Sequence, residues 1–158
     1  MAREVWEKPV DLNKKLRIMG HHHLCLVGWN RLLNQDQFRM AYQRIIDDIT
    51  AAPDAAVETI FGYDLFCYVC PYWDDAAGNC STGWQNKITK DAAVRELLGV
   101  RVGEERTLKE MERLLAEKLT EERFAELCGP GTDWACEWYE SGECLEGLRE
   151  IKRKYNAR

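Results

Sequence analysis

Apolar residues recur at helical spacing over much of the chain and alternate at strand spacing in one short stretch. From about Gln35 to Ala51, Phe38, Tyr42, Ile45, Ile46 and Ile49 share one helical face, with Arg39, Arg44, Asp47 and Asp48 largely on the other. Pro53 closes that segment. Residues 56–63, AVETIFGY, set Val57, Thr59 and Phe61 against Glu58 and Ile60, which predicts a short strand. Thr89 is placed to N-cap a helix through Leu98 that Gly99 ends. Thr107-Leu108-Lys109-Glu110 fits a capping box, and the helix behind it offers Leu108, Met111, Leu114, Leu115 and Leu119 for burial. Thr120 starts a further short helix, with Glu121 and Glu122 against its positive end, and Gly129-Pro130-Gly131 breaks it after Cys128. Ser141 is placed to cap a last helix, whose final turns carry Arg149, Lys152, Arg153 and Lys154 where the helix dipole favours cations.

These elements predict a mainly α fold with a small β element. Residues 1–16 read as a charged lead-in, and residues 17–158 as a compact single domain. Cys67 to Gly83 holds Pro71, Gly78 and Asn79 and reads as loop. The expected architecture is therefore a helical domain whose cysteine-rich loops are organised round one or more metal centres.

Composition narrows the function. A chain of 158 residues that is 46% hydrophobic can bury one core and is too apolar for a disordered protein. No stretch approaches the roughly 20 apolar residues of a membrane span. The charged start, MAREVWEKPVDLNKKL, has no apolar run of the secretory kind, so a cytoplasmic location is expected. A net charge of −5 argues against nucleic acid as a partner, because such binders need a basic face.

The 7 cysteines carry the chemistry. In a reducing compartment so many thiols are more often a metal framework than a disulfide one. They fall into three sequence groups: Cys25 behind His21-His22-His23; Cys67-Tyr68-Val69-Cys70-Pro71 followed by Cys80; and Cys128, Cys136 and Cys144. A C-x2-C step turns two sulfurs toward one centre, and proline after the second cysteine also occurs beside iron–sulfur ligands. Cys80 can wrap round to the same centre as Cys67 and Cys70. A thioredoxin-like redox pair is the rival reading, weakened by the missing βαβ context.

Structural zinc sites usually show two paired ligand steps, whereas only one tight pair exists here, so the spacing favours iron–sulfur over zinc. Cubane clusters accept scattered ligands. Tyr68, Tyr72, Trp73, Trp84, Trp134, Trp138 and Tyr139 lie near thiols in sequence and could shield a cluster, or simply fill core. His21 and His22, four and three residues before Cys25, could share a helical face with that thiol and ligate, or serve as acid/base. Asp74-Asp75 reads as a solvated or capping pair. No nucleotide-binding, Rossmann or hydrolase motif occurs.

The order His21-His22-x-x-Cys25, Asp64 ahead of Cys67-x-x-Cys70-Pro71, Cys80, Leu127-Cys128, Cys136-Glu137-Trp138 and Gly142-Glu143-Cys144 resembles a small bacterial and archaeal domain-of-unknown-function family described as iron–sulfur-binding. The likeness covers roughly residues 17–150. Met19-Gly20 stands where that family has Arg-Pro, and its second C-x-x-C is stretched here to Cys128 and Cys136. The resemblance implies an iron–sulfur cofactor but no reaction.

The expected function is that of an iron–sulfur protein holding one or two [4Fe–4S] clusters, with zinc as the alternative metal. Its role would be to store or pass electrons while docking on a larger redox partner. Between Asp36 and Asp75 there are eight acidic and two basic residues, a charge suited to steering toward a basic site. The alternatives are an enzyme with an open iron site and a histidine acid/base, and a zinc-binding structural or interaction module.

Overall fold

The computed structural model describes residues 14–29, 37–70, 72–81, 83–132 and 136–158, with side chains for these apart from residues 37–42, 137 and 138. In chain order the elements are β1 (Leu16–Met19), α1 (Gly20–Trp29), α2 (Gln37–Thr50), β2 (Ala56–Ile60), one 3-10 turn (Cys67–Val69), β3 (Trp73–Asp74) and β4 (Asn79–Cys80). Then follow α3 (Trp84–Leu98), β5 (Glu105–Thr107), α4 (Leu108–Lys118), α5 (Glu121–Cys128), α6 (Glu137–Glu140) and α7 (Glu143–Lys154). The fold is mainly α with a small β element, as the hydrophobic spacing predicts.

The sheet has the order β1-β2-β5. β1 runs parallel to β2, with Leu16 opposite Val57 and Met19 opposite Ile60, and β5 is antiparallel to β2. A parallel pair needs a crossover, which α1 and α2 supply. The sheet begins at Leu16, the last residue of the expected lead-in. The predicted strand of residues 56–63 ends at Ile60, before Gly62 at φ 116°.

Helix α1 is the centre of the packing and lies against α2, α3, α4 and α7. It is buried on most sides, with Leu24, Val27 and Trp29 in the core and no polar stripe to mark it. Its closest approach is to α7. A Cβ on Gly147 would stand 1.9 Å from the Val27 carbonyl oxygen, and one on Gly28 would stand 2.3 Å from Cys144 Sγ. Only glycine at these two positions lets the helices come so near.

The capping box opens α4 as the sequence predicts: the Glu110 amide donates to Thr107 Oγ1 at 3.1 Å, and the Thr107 amide donates to Glu110 Oε2 at 2.7 Å. Met111, Leu115 and Leu119 are buried, with Leu108 and Leu114 packed partly against the core. Thr120 caps α5 through the Arg123 amide. Gly99 ends α3 in the left-handed region. Two expected caps differ. Helix α3 starts at Trp84, so Thr89 lies inside it and its hydroxyl donates to the Gln85 carbonyl at 3.2 Å, an arrangement threonine adopts within a helix. The N-cap of α7 is Gly142, while Ser141 Oγ accepts from the Glu143 amide at 3.3 Å.

The stretch expected as loop holds the 3-10 turn and a small hairpin in which Trp73 faces Cys80. Asp74 closes that hairpin, accepting from the Ala76 and Ala77 amides, which accounts for the first of the paired aspartates as a turn residue. The basic end of α7 is tied back to the fold through Lys152 on the Ala116 carbonyl and Lys154 on Glu112. Among the described residues no helix is long and apolar enough to cross a membrane.

Candidate metal centres

Helix α1 starts without a capping side chain of its own. Two buried carboxylates from distant segments take its first N–H groups: the Met19 amide donates to Asp64 Oδ2 and the His21 amide to Asp91 Oδ1, each at 2.9 Å. Negative charge is favoured there because the helix dipole leaves the N-terminus positive. The same carboxylates hold the first two histidines. His21 Nδ1 lies 3.1 Å from Asp91 Oδ1, and His22 Nδ1 lies 2.5 Å from Asp64 Oδ2.

The three histidines therefore have three environments. Burial pushes His21 down to about 3, with the neighbouring His22 adding to the shift against the pull of Asp91. His21 is thus held as the neutral imidazole. His23 is pushed down to about 4 by burial and lines a small cavity of about 90 Å³ with Leu26, Leu108 and Met111. Its Nε2 has no hydrogen-bond partner among the described residues. Among the described residues, His22 is the histidine that meets both a carboxylate and a thiol.

Around His22 the geometry could hold a metal ion. One donor atom each from His22, Asp64 and Cys67 lies within 4.8 Å of the other two, and no other trio of potential ligands among the described residues is so close. Asp64 Oδ1 accepts from the Phe66 and Cys67 amides at 2.9 and 3.1 Å, which winds the chain into the 3-10 turn and presents Cys67. Burial alone would raise the Asp64 pKa, but His22 and the amides of Met19 and Cys67 outweigh it and bring it to about 2. The Cys67 thiol is pushed up by burial and by the Asp64 carboxylate, with Cys70 contributing. Trp29 and Phe66 flank the His22 ring at 5.6 and 5.5 Å.

A second convergence joins thiols from the two ends of the chain. Cys25 from α1, Cys128 at the end of α5, Cys136 ahead of α6 and Cys144 in the first turn of α7 act electrostatically on one another, and burial pushes the thiols of Cys25, Cys128 and Cys144 up. The Cys136 amide donates to the Cys128 carbonyl at 3.1 Å. Lys90 of α3, 5% exposed, faces this set. Burial favours its neutral form, but Cys25 and Cys128 outweigh it, and the ammonium donates to the Cys128 sulfur. No three of these sulfurs lie within 4.8 Å of one another. On one tetrahedral zinc, with Zn–S about 2.3 Å, they would stand roughly 3.8 Å apart.

Cys67 joins His22 and Asp64, and neither Cys70, next along the turn, nor Cys80, on the hairpin opposite Trp73, belongs to that trio. Cys25 leaves its neighbouring histidines for Cys128, Cys136 and Cys144. Lys90 was not anticipated, and nothing in its local sequence separates it from a surface lysine. Of the aromatic residues near thiols in sequence, Tyr139 adjoins Cys128 and Cys144 and packs on Phe124, whereas Tyr68 and Tyr72 are exposed. Trp73 and Trp84 meet each other by the hairpin. Trp134 and the Trp138 side chain lie outside the described residues.

Residues 34–142 match the profile of a family described as "Protein of unknown function (DUF1284)". The chain belongs to that family. The match spans the Asp64–Cys70 turn, Cys80, Lys90, Cys128 and Cys136, whereas His22 and Cys25 of α1 and Cys144 of α7 lie outside the DUF1284 region. No curated protein and no solved structure matches the chain.

Proposed function

We propose that this DUF1284 protein binds a [4Fe–4S] cluster through Cys25, Cys128, Cys136 and Cys144 and passes single electrons between larger redox proteins. The observation that carries the reading is the convergence of those four thiols on the buried ammonium of Lys90. Four thiolates are the full ligand set of a cubane.

A cluster with four cysteine ligands carries net negative charge, and Lys90 offsets part of it inside the fold. Four protein ligands also leave no iron open to substrate, which favours electron transfer over substrate chemistry. When bound, the cluster supplies one-electron redox capacity. The chain's own residues fix the potential through the Lys90 donor and through burial by Tyr139 and the α1–α7 contact. Asp47, Asp54, Asp74 and Asp75, exposed within the stretch from Asp36 to Asp75, suit a basic docking site on the partner.

The test is anaerobic purification, or reconstitution with iron and sulfide, followed by iron and sulfide quantitation on single Cys→Ser variants. The expected result is a brown protein that loses its cluster on substitution of Cys25, Cys128, Cys136 or Cys144 and keeps it on substitution of Cys80. A colourless protein carrying stoichiometric zinc on those four cysteines overturns the reading.

A further inference from the structure

We propose that His22, Asp64 and Cys67, with Cys70 completing the set, form a second and separate site that binds a single zinc ion. Donor atoms of the first three lie within 4.8 Å of one another, close enough to meet one ion at bond lengths of about 2.0–2.3 Å. The donors come from two elements locked together: α1 supplies His22, and the turn that Asp64 organises supplies the rest. Three backbone amides, of Met19, Phe66 and Cys67, fix the carboxylate in place, which is the outer support that a metal ligand needs.

The 3-10 turn from Cys67 to Val69 carries the chain to Cys70, whose amide donates back to the Cys67 carbonyl at 3.1 Å. Cys70 is not one of the three whose donor atoms already meet, and a C-x2-C step is the spacing that lets its sulfur turn to the same ion. An imidazole, a carboxylate and two thiols are a donor set that zinc accepts whole. Calcium and magnesium take oxygen ligands and would leave the thiols unused. Charge points the same way. Asp64 is fully buried, and adding thiolate charge beside it calls for a cation in the site. Trp29 and Phe66 wall it, their rings 4.9 Å apart.

The site stands apart from the four-thiol centre in every ligand, yet His22 and Cys25 sit three residues apart on one helix. Side chains at that spacing are neighbours on a helix surface. A zinc ion here would hold α1 against the Cys67 turn and so fix the helix that presents Cys25.

The experiment is zinc and iron quantitation on the full chain, with zinc chloride as the probe and cobalt as its spectroscopic substitute. The unchanged protein is expected to bind one zinc beyond its cluster iron, and cobalt at this site to show thiolate-to-metal absorption. His22→Asn and Cys67→Ser are each expected to weaken zinc binding by more than about 100-fold, beyond the 10–100-fold effect of losing an outer partner, with cluster iron retained. Far-UV circular dichroism on both variants checks folding, and His22→Asn leaves the amide contacts of Asp64 in place. Full cluster iron with no bound zinc overturns this inference and leaves the proposed function standing. Zinc retained by both variants, or cluster iron lost with Cys67→Ser in a folded protein, also overturns it. One bound zinc with no cluster overturns the proposed function alone.

Discussion

The buried ammonium of Lys90 donates to the sulfur of Cys128. A lysine taken out of water persists only when its charge is paired, which protonated thiols cannot do and metal-bound thiolates can. A donor to a cluster sulfur stabilises the reduced, more negative state, which raises the reduction potential. Lys90→Met is therefore expected to lower the midpoint potential by on the order of 60 mV, the one-electron equivalent of about 1.4 kcal/mol. Anaerobic potentiometric titration of the reconstituted protein reads this directly. An unchanged potential at full iron content would remove Lys90 from the electrostatics of the site.

Thr107 and Glu110 test the scaffold apart from the metal sites. Their reciprocal bonds satisfy two backbone donors at the start of α4. Thr107→Ala should cost about 1 kcal/mol in urea unfolding and leave metal content unchanged. A loss of iron in this variant would mean that α4 is coupled to the site more strongly than its position implies.

Most of the helices were legible because their apolar stripes and caps are local. Ile45, Ile46 and Ile49 sit beside polar neighbours, and Thr107 lies three residues from Glu110. Helix α1 was not legible, because it is buried on most sides and its caps, Asp64 and Asp91, lie 45 and 70 residues from the amides they accept. The candidate ligands were legible by residue type, whereas the meeting of His22 and Asp64 with Cys67 was not. Cys67, Cys70 and Cys80 read as one set because they are near in the chain, whereas packing of α1 on α7 brings Cys25 to Cys144. The Asp64 preceding the C-x2-C step was visible only as part of a resemblance. Its work, capping α1 while turning the chain at Cys67, depends on contacts that no local pattern encodes.

Asp91 gives the fold a defined pH dependence. It accepts from the His21 amide and from Arg95 Nε, and it faces His21 Nδ1. Burial alone would raise its pKa, but these partners outweigh burial and hold it below the usual carboxylate value. The folded state then binds fewer protons than the unfolded state near the unfolded pKa of about 3.9. The stability Asp91 contributes is full above that pH and is lost as pH falls through the folded pKa. Asp91→Asn should destabilise the protein by about 2 kcal/mol at neutral pH, and its gap from the unchanged protein should narrow below about pH 4. Thermal melts of both proteins across that range give the comparison, and a gap that stays constant to low pH would contradict the assignment.

Gly28 and Gly147 separate a general packing defect from a ligand defect. A Cβ on Gly147 would meet the Val27 carbonyl oxygen at 1.9 Å, so Gly147→Ala must push α1 and α7 apart. Forced overpacking of this kind costs about 1–3 kcal/mol or more. A Cβ on Gly28 would stand 2.3 Å from Cys144 Sγ and 3.1 Å from its Cα, so Gly28→Ala displaces a thiol of the four-cysteine set itself. Both variants should lose stability in chemical unfolding, but iron per folded chain should fall further in Gly28→Ala, because there the moved atom is a sulfur. Equal iron content in the two variants at equal stability would mean that Cys144 reaches its centre without the close approach that Gly28 permits. The α1–α7 contact would then act on the fold alone.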